Sequence, residues 1–272
     1  IIHSHHRYPE LIAYYVAKKI KIKTITTAHS IIKGKKFLSF KSDKFIAVSN
    51  VVKSMLINAY KIPEKKIITL YNCLEIPKIN TDSSEFKRTL NIPEDAIILL
   101  FLGRITKIKG VDLLIEAVKR IRIQNHNVFL LILGEYYDNT MNRYLKEIPA
   151  EIKILSSVED PFPYYAIADL VISPSRIEPL SYVMLESGLM KKPFIGARTG
   201  GIEEFIEDNI NGLLFECGNV QALVEKINYI LNNPQKAKMM ADNLYAKVIE
   251  NTSCEKYFSK LSYIYEDLIL KK

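Results

Sequence analysis

The sequence contains little cysteine and no long hydrophobic run, and these two absences exclude several classes of protein. Its 272 residues include three scattered cysteines, Cys73, Cys217 and Cys254, and no C-x-x-C pair. Neither a disulfide framework nor a cysteine-based zinc site is therefore predicted, and the thiols fit a reducing compartment. The longest apolar run, residues 96–102, is seven residues long. A membrane-spanning helix requires roughly 18.

Several catalytic signatures are absent as well. The chain has no G-x-G-x-x-G fingerprint, no P-loop, no H-E-x-x-H and no G-x-S-x-G. The usual dinucleotide, P-loop, zincin and α/β-hydrolase chemistries are therefore not indicated. The composition is that of an ordinary globular protein, with 48% apolar and 25% charged residues, which excludes an extended disordered chain or a collagen.

The charge is unevenly distributed along the chain. Residues 1–80 carry fifteen Lys and Arg against four Asp and Glu, a net charge of +11, whereas residues 81–272 carry 23 against 26, a net charge of −3. This break predicts two units with different surroundings. The basic unit is suited to an anionic substrate, an anionic membrane surface or a nucleic acid, and the alternative is a solvated lysine-rich surface.

Short apolar runs alternate with helical patterns throughout the chain. Such strands, hydrophobic on both faces and separated by helices, indicate a doubly wound α/β architecture with parallel sheets. The polar stretch Glu75–Ser84 coincides with the charge break and is interpreted as an interdomain linker. Three helices are predicted at about 219–232, 234–249 and 254–270. The predicted strands are Ile1–His5, Lys23–Thr27, Phe45–Val48, Ile67–Tyr71, Ile97–Leu102, Val128–Leu133, Lys153–Leu155, Leu170–Ser173, Phe194–Ile195 and Leu213–Phe215.

Two cations follow the predicted strand IILLFL on a short loop. Gly103 and Gly110 bracket the loop, and Arg104 and Lys109 lie five residues apart within it. Ligands of open α/β sheets bind at the carboxyl ends of strands, so both cations are candidates to hold one diphosphate, arginine as a fork and lysine as a point charge. The glycines would let the backbone approach closely. The alternative is a basic surface loop.

A second polar segment, PSRIEPLSYVMLE, runs from Pro174 to Glu186 after the predicted strand LVIS. Pro179 suits the first turn of a helix, which would place Glu178 at the helix start and Glu186 about two turns on. Eight residues at ~1.5 Å rise would separate the carboxylates by ~12 Å, close to the reach of a sugar nucleotide from hexose to ribose. Carboxylates accept hydrogen bonds from hydroxyls, and a helix N-terminus favours a phosphate. The alternative is a capping carboxylate and a solvated glutamate.

Glycines and histidines mark the remaining candidate positions. The T-G-G turn at residues 199–201 is expected to open a helix. His3 and His5 alternate on one face of the first predicted strand, and His29 ends the next one. The sequence places no fourth zinc ligand beside them, so we predict an acceptor-side or cleft role rather than a metal site. Ordinary loop histidines are the alternative.

A basic and aromatic cluster comes directly after His29. Basic residues interleaved with aromatic ones suit a membrane interface or a nucleic acid, and the alternative is a lysine-rich loop over a small apolar cluster. The cluster contains Lys33, Lys35, Lys36, Lys41 and Lys44 around Phe37, Leu38 and Phe40.

Together these segments resemble the retaining glycosyltransferases of family 4, which have the GT-B fold. FLGRITKIKGVDLLIEAV resembles that family's G-R-x4-K-G segment, PSRIEPLSYVMLE its P-S-x-x-E-x7-E motif, and TGGIEEFIEDNINGLLF its G-G-x-x-E … N-G-x-L segment. Upstream, FIAVSNVVKSML and KKIITLYNCLEI resemble the end of its N-terminal domain, and the strand ending in His29 resembles its T-x-H stretch. The resemblance spans nearly the whole chain.

The resemblance implies two Rossmann-like doubly wound parallel-sheet domains that face a cleft. Residues 1–75 would form an incomplete N-terminal acceptor-side domain and residues 76–253 a nucleotide-sugar-binding domain. A C-terminal helix at 254–272 would pack back on the N-terminal domain. The family's glycine-rich loop near the donor phosphate is not found, so we expect an upstream part to be missing.

The resemblance also implies a role for each candidate residue. Arg104 and Lys109 would hold the donor diphosphate, and Glu186 would bind the ribose hydroxyls. Glu178 would contact the sugar, and His29 would face the acceptor, both as catalytic residues. Backbone amides at Leu180, Ser181 and Tyr182 would lie at the diphosphate, and His3, His5, Gly200 and Gly201 at the acceptor or the cleft.

The implied activity is hexose transfer from a nucleotide diphosphate sugar, UDP-linked in preference to GDP-linked, with retention of anomeric configuration. No metal and no cofactor besides this donor substrate are expected. The acceptor would be a glycan or a lipid-linked intermediate of polysaccharide or lipopolysaccharide synthesis. We expect a cytoplasmic protein, peripheral on the anionic inner face of the plasma membrane through its basic half, and no nucleic-acid partner.

Two alternatives share the same fold. One is a truncated, catalytically impaired protein that binds nucleotide sugars. The other is a nucleotide-sugar 2-epimerase, against which the E-x7-E pairing argues. A nucleic-acid-binding role rests on the sequence pI of about 9.1 alone.

Overall fold

The computed structural model describes residues 1–32, 34, 38–77, 82–122, 127–136, 139–146 and 148–270. The chain divides into two compact units. The N-terminal unit contains Ile1–Glu75, Glu178–Leu180 and Glu250–Lys272, and the C-terminal unit contains Ile76–Ile177 and Ser181–Ile249.

The elements follow one another as alternating strands and helices. In chain order the strands are β1 (Ile2–Ser4), β2 (Thr24–Ala28), β3 (Lys44–Ala47), β4 (Ile67–Thr69), β5 (Ile97–Leu102), β6 (Val128–Leu133), β7 (Ile152–Leu155), β8 (Leu170–Ser173), β9 (Phe194–Ala197) and β10 (Leu213–Phe215). The helices are α1 (Arg7–Ile20), α2 (Asn50–Tyr60), α3 (Ser83–Thr89), α4 (Val111–Arg122), α5 (Asn142–Leu145), α6 (Phe162–Ile167), α7 (Tyr182–Leu189), α8 (Gly200–Phe205), α9 (Val220–Asn232), α10 (Pro234–Thr252) and α11 (Cys254–Leu270).

The N-terminal unit is built on a four-stranded parallel sheet in the order β1-β2-β3-β4. All five residues of β2 are buried, as expected of a parallel strand covered on both faces. Helix α11 packs against this sheet, because Ile264 and Leu268 join Ile25, Ile46 and Leu70 in one core cluster. The last helix of the chain therefore completes the core of its first unit.

The C-terminal unit is built on a six-stranded parallel sheet in the order β10-β9-β8-β5-β6-β7. Strand β5 lies between β6 and β8. The sheet continues from β6 to β7 on one side of β5, and from β8 through β9 to β10 on the other. In such a sheet the order of the strands reverses beside β5, and the loops that leave β5 and β8 meet at that point. The sheet therefore selects these two loops as the natural place for a ligand.

Both units are Rossmann-like parallel-sheet domains, so the predicted fold class is confirmed. All ten predicted strands are present, four of them with the predicted bounds and the others with ends that differ by at most two residues. Among the described residues, no helix combines the length and the apolar character needed to cross a membrane.

Candidate active site

The loop between β5 and α4 carries the two predicted cations. Arg104 is exposed and Lys109 is partly buried. Gly110 has a φ of 75°, and a Cβ atom at this position would lie 2.0 Å from the carbonyl oxygen of Pro174. The sequence predicted that the glycines admit a close neighbour. At Gly110 that neighbour is the backbone of the loop that follows β8.

Arg176 joins this loop to the loop after β8. Its guanidinium donates to both carboxylate oxygens of Asp112, at 2.8 and 2.9 Å, and also to the carbonyl of Lys107. Its backbone N–H donates to the carbonyl of Ile108 at 2.8 Å. Asp112 lies in the first turn of α4 and has a side chain only 8% exposed. The hydrogen bond with Asp112 raises the pKa of Arg176. A forked ion pair thus holds the cationic loop in place.

The loop after β9 is attached to the same arginine. The Thr199 hydroxyl donates to the carbonyl of Arg176 at 3.2 Å. Gly200 has a φ of 51° and, with Gly201, opens α8, so the predicted glycine turn at the start of a helix is confirmed. From its position in the loop after β8, Arg176 therefore contacts the loops that leave the two neighbouring strands, β5 and β9.

The helix after β8 begins later than the sequence predicted. Helix α7 starts at Tyr182, and the Ser181 hydroxyl caps it by accepting from the N–H of Met184 at 3.2 Å. The serine hydroxyl satisfies one of the unpaired N–H groups of the first turn. Pro179 has no side-chain acceptor and cannot cap a helix in this way. The helix therefore begins after Ser181. Glu178 consequently precedes the helix, and the spacing of ~12 Å worked out from helical rise does not apply to it. Glu178 and Leu180 are buried, and they group with the N-terminal unit.

Glu186 lies in the second turn of α7 and is held by a tyrosine. The hydroxyl of Tyr165, in α6, donates to Oε2 of Glu186 at 2.7 Å, and the Tyr165 side chain is fully buried. Burial raises the pKa of Glu186, and the hydrogen bond from Tyr165 opposes that rise. Burial and the adjacent carboxylate raise the pKa of Tyr165 well above its usual range.

The three candidate histidines, His3, His5 and His29, form a stack in the N-terminal unit. The ring centroids of His3 and His5 are 4.4 Å apart, and those of His5 and His29 are 5.3 Å apart. Nδ1 of His5 lies 3.0 Å from Nε2 of His29. His3 is held at both nitrogens, by the hydroxyl of Tyr265 at 2.6 Å and that of Thr27 at 2.8 Å. The predicted alternation of His3 and His5 on one face is confirmed.

The two outer members of this stack, His3 and His29, are neutral at physiological pH. Burial, followed by the repulsion of neighbouring histidines, lowers the pKa of His3 and of His29 to about 4. A neutral imidazole has one nitrogen free to accept a hydrogen bond, as an acceptor-side role requires. Across the part of the chain that the structure describes, no group of three or more His, Cys, Asp or Glu side chains is arranged to hold a metal ion.

The basic and aromatic cluster is only partly available as a surface. Phe40 is buried, and Lys44 forms an ion pair with Asp267, so these two residues are not the exposed contacts that the sequence predicted. Burying the Phe40 ring against Phe45 and Tyr60 stabilises the core more than its exposure would. Leu38 remains 48% exposed. Lys33, Lys35, Lys36 and Phe37 lie outside the described residues.

Comparison with known protein families follows the same division of the chain. A family model described as Glycosyl transferases group 1 matches residues 82–247, and one described as Glycosyltransferase Family 4 matches residues 1–76. The chain belongs to the group 1 glycosyl transferases. The predicted family is thereby confirmed.

Relatives of this glycosyltransferase cover almost all of it. It is 30% identical to an uncharacterized glycosyltransferase of Methanocaldococcus jannaschii over 98% of the chain and 75% of that protein. It is 26% identical to the N-acetyl-alpha-D-glucosaminyl L-malate synthase of Bacillus anthracis over 99% of the chain and 75% of that protein. The crystal structure of Anabaena HepE in complex with UDP superposes with a TM-score of 0.87 at 20% identity, covering 97% of this chain and 78% of the other, which shows the shared fold.

The sequence did not reveal two residues that organise the site, Arg176 and Tyr165. Arg176 lies inside the P-S-x-x-E motif at a position the motif leaves open, and its partner Asp112 is 64 residues away. Tyr165 precedes Glu186 by 21 residues on a different helix. Neither pairing produces a local pattern, and a buried tyrosine in an apolar segment resembles an ordinary core residue.

Proposed function

We propose that this glycosyltransferase transfers a hexose from a nucleotide diphosphate sugar to an acceptor, with retention of the anomeric configuration. One observation carries the proposal: a cationic loop and a carboxylate-bearing helix follow β5 and β8, on either side of the point where the strand order reverses. A ligand with a diphosphate at one end and a ribose at the other has the charges that this pair of elements complements.

Different residues of the C-terminal unit bind different parts of the donor. Arg104 and Lys109 neutralise the diphosphate, and the capped first turn of α7, at Ser181 and Tyr182, directs N–H groups and the positive end of the helix at it. Glu186 accepts hydrogen bonds from the ribose hydroxyls. These cations take the role that a divalent metal plays elsewhere at a departing diphosphate, so turnover is expected to continue in EDTA.

The residues grouped with the N-terminal unit act on the sugar and the acceptor. Glu178 contacts the donor sugar, and Leu180 follows it towards the helix that receives the diphosphate. The neutral His29, with His5 at 3.0 Å and His3 behind it, serves the acceptor side. In the C-terminal unit, Gly200 and Gly201 provide a backbone surface without side chains at the start of α8.

Several features support UDP and a glycan or lipid-linked acceptor as the substrates. The Anabaena structure was solved with UDP, which supports UDP as the nucleotide of the donor. The charge of +11 in residues 1–80 suits an acceptor held at an anionic membrane. We propose that the protein acts in the cytoplasm, peripheral on the inner face of the plasma membrane. The Bacillus relative is named an N-acetyl-alpha-D-glucosaminyl L-malate synthase, so a small carboxylic acid such as malate is the second acceptor to test.

Binding of UDP tests the proposal directly. UDP at 100 times its Kd should stabilise the protein by about 2.7 kcal/mol, and Arg104→Ala or Lys109→Ala should reduce that gain without unfolding the chain. If UDP, GDP and ADP all leave the melting curve of the wild-type protein unchanged, the diphosphate site is wrong.

Product analysis tests the reaction itself. Incubation with UDP-glucose or UDP-N-acetylglucosamine should release UDP and an α-linked product. Nucleotide binding without turnover would identify a protein that only binds nucleotide sugars, and an epimerised donor would identify a 2-epimerase.

Co-sedimentation with vesicles tests the membrane surface. Binding to phosphatidylglycerol vesicles is expected at low ionic strength and should be reversed by salt. Absence of binding under these conditions would favour a soluble acceptor, and equal binding to DNA would favour a nucleic-acid partner.

A further inference from the structure

We infer that Tyr165 is a positioning residue for nucleotide binding, which holds one oxygen of Glu186 so that the other is presented to the ribose hydroxyls. The inference rests on the proposed function, because it concerns how the ribose-binding carboxylate is oriented. It adds a residue that neither the motif spacing nor the family comparison identifies.

The geometry restricts the carboxylate from one side only. The Tyr165 hydroxyl donates to Oε2 of Glu186 at 2.7 Å, an ordinary length for a hydrogen bond between a hydroxyl and a carboxylate. The phenol ring is fully buried and has little freedom to move. One hydroxyl occupies one of the roughly four acceptor positions of a carboxylate, so the capacity to accept from two ribose hydroxyls remains.

The surroundings of Glu186 make the tyrosine its main polar support. Helix α7 packs on β8 and β9, whose sequences LVIS and FIGA contain no ionisable side chain. Gly188, one half-turn further on, faces Leu244 and Val248 of α10. Within α7 itself the other ionisable residue is Tyr182, which is 45% exposed. Burial raises the pKa of Glu186, and the bond from Tyr165 is the interaction that lowers it.

This arrangement predicts more than a structural role. If Tyr165 only filled space, phenylalanine would replace it without consequence, since the ring is the part that packs. If it positions Glu186, removal of the hydroxyl leaves a partly buried carboxylate without its donor. The carboxylate would then be less well oriented, and its pKa would rise further, so that it would bind a proton at a higher pH.

The test compares two tyrosines of the same helix. Tyr165→Phe removes the hydroxyl that bonds Glu186, and Tyr164→Phe is the matched control, since Tyr164 packs edge-on against Phe86 at 4.9 Å between ring centroids. UDP affinity is measured by calorimetry from pH 5.5 to 8.5. We expect Tyr165→Phe to weaken UDP binding about tenfold and to move the acidic loss of binding to higher pH, while Tyr164→Phe changes neither.

A double substitution separates positioning from packing. In a Glu186→Gln background, Tyr165→Phe should add little further loss of UDP affinity, because the residue acts through the carboxylate. An equal, additive loss in both backgrounds would show that Tyr165 acts through packing and would overturn the inference. Unchanged affinity and pH profile in Tyr165→Phe alone would do the same.

The remaining outcomes are also decisive. If Tyr165→Phe does not fold, Tyr165→Met replaces it in the wild-type and Glu186→Gln backgrounds, and equal losses of UDP affinity in the two backgrounds would overturn the inference. A wild-type protein that binds no nucleoside diphosphate would refute the proposed function and this inference with it. If the wild-type protein and Tyr165→Phe bind UDP equally tightly, the inference is refuted and the proposed function is not.

Discussion

Replacement of Arg176 by alanine should destabilise the C-terminal unit and weaken donor binding together. The guanidinium forms a fork on Asp112 and also donates to the carbonyl of Lys107, inside the loop that carries the two cations proposed to hold the diphosphate. Asp112 is 8% exposed, so alanine at 176 leaves its carboxylate nearly buried and unpaired.

The magnitude follows from the burial of the two partners. Removal of one partner from a fully buried ion pair costs about 3–5 kcal/mol. The side chain of Arg176 is 33% exposed, so water can reach Asp112 once the arginine is removed. We therefore expect a loss of about 2–3 kcal/mol, which corresponds to a decrease in Tm of roughly 4–12 °C. Arg176→Lys should fall between alanine and the wild type, because an ammonium retains the charge and loses the fork.

Calorimetric unfolding measured with and without UDP gives both effects in one experiment. Arg198→Ala is the matched control, because Arg198 is 40% exposed and pairs with Glu203 and Asp208 at 3.7 and 3.6 Å. Such a surface pair contributes about 0–1 kcal/mol. The reasoning would be refuted if Arg176→Ala and Arg198→Ala lowered the Tm equally, or if Arg176→Ala lost stability and bound UDP as the wild type does.

Three further predictions concern the carboxylates, a glycine and the histidine stack. Glu186→Gln should weaken UDP binding, whereas Glu178→Gln should preserve it and reduce turnover; calorimetric titration that finds equal losses would contradict these roles. Gly110→Ala should destabilise more than Gly218→Ala, since both have positive φ, but the Cβ atom meets the Pro174 carbonyl at 2.0 Å in the first and no atom within 4 Å in the second. Equal denaturation midpoints would show that the loop adjusts freely. The pKa of His3 is lowered from 6.5 to about 4 in the folded state, so the unfolded chain binds the extra proton and stability should fall as the pH drops from about 6.5 towards 4. His3→Gln should reduce that dependence in urea titrations at pH 5 and 7.5, and an unchanged slope would argue against the shift.

The sequence by itself determined the fold class and the location of the cationic loop and of α7. Continuous apolar runs of four to six residues, such as LVIS and IILLFL, are compatible with strands buried on both faces, and their alternation with helices leaves few architectures besides a doubly wound sheet. The loops after such strands are the usual ligand sites, so Arg104, Lys109 and Glu186 could be named as candidates without coordinates. These signals are local in the chain, which is why a pattern suffices to detect them.

Tertiary structure alone decided which residues support those loops. The strand order places β8 beside β5, and only this order brings Arg176 to Asp112 and Pro174 against Gly110. Competition between neighbouring residues decided the start of α7, where the serine cap prevailed over the preceding proline. The partners of Glu186 and of His3, Tyr165 and Tyr265, come from segments 21 and 262 residues away. A sequence pattern records the spacing within one element, whereas these contacts depend on which elements pack side by side.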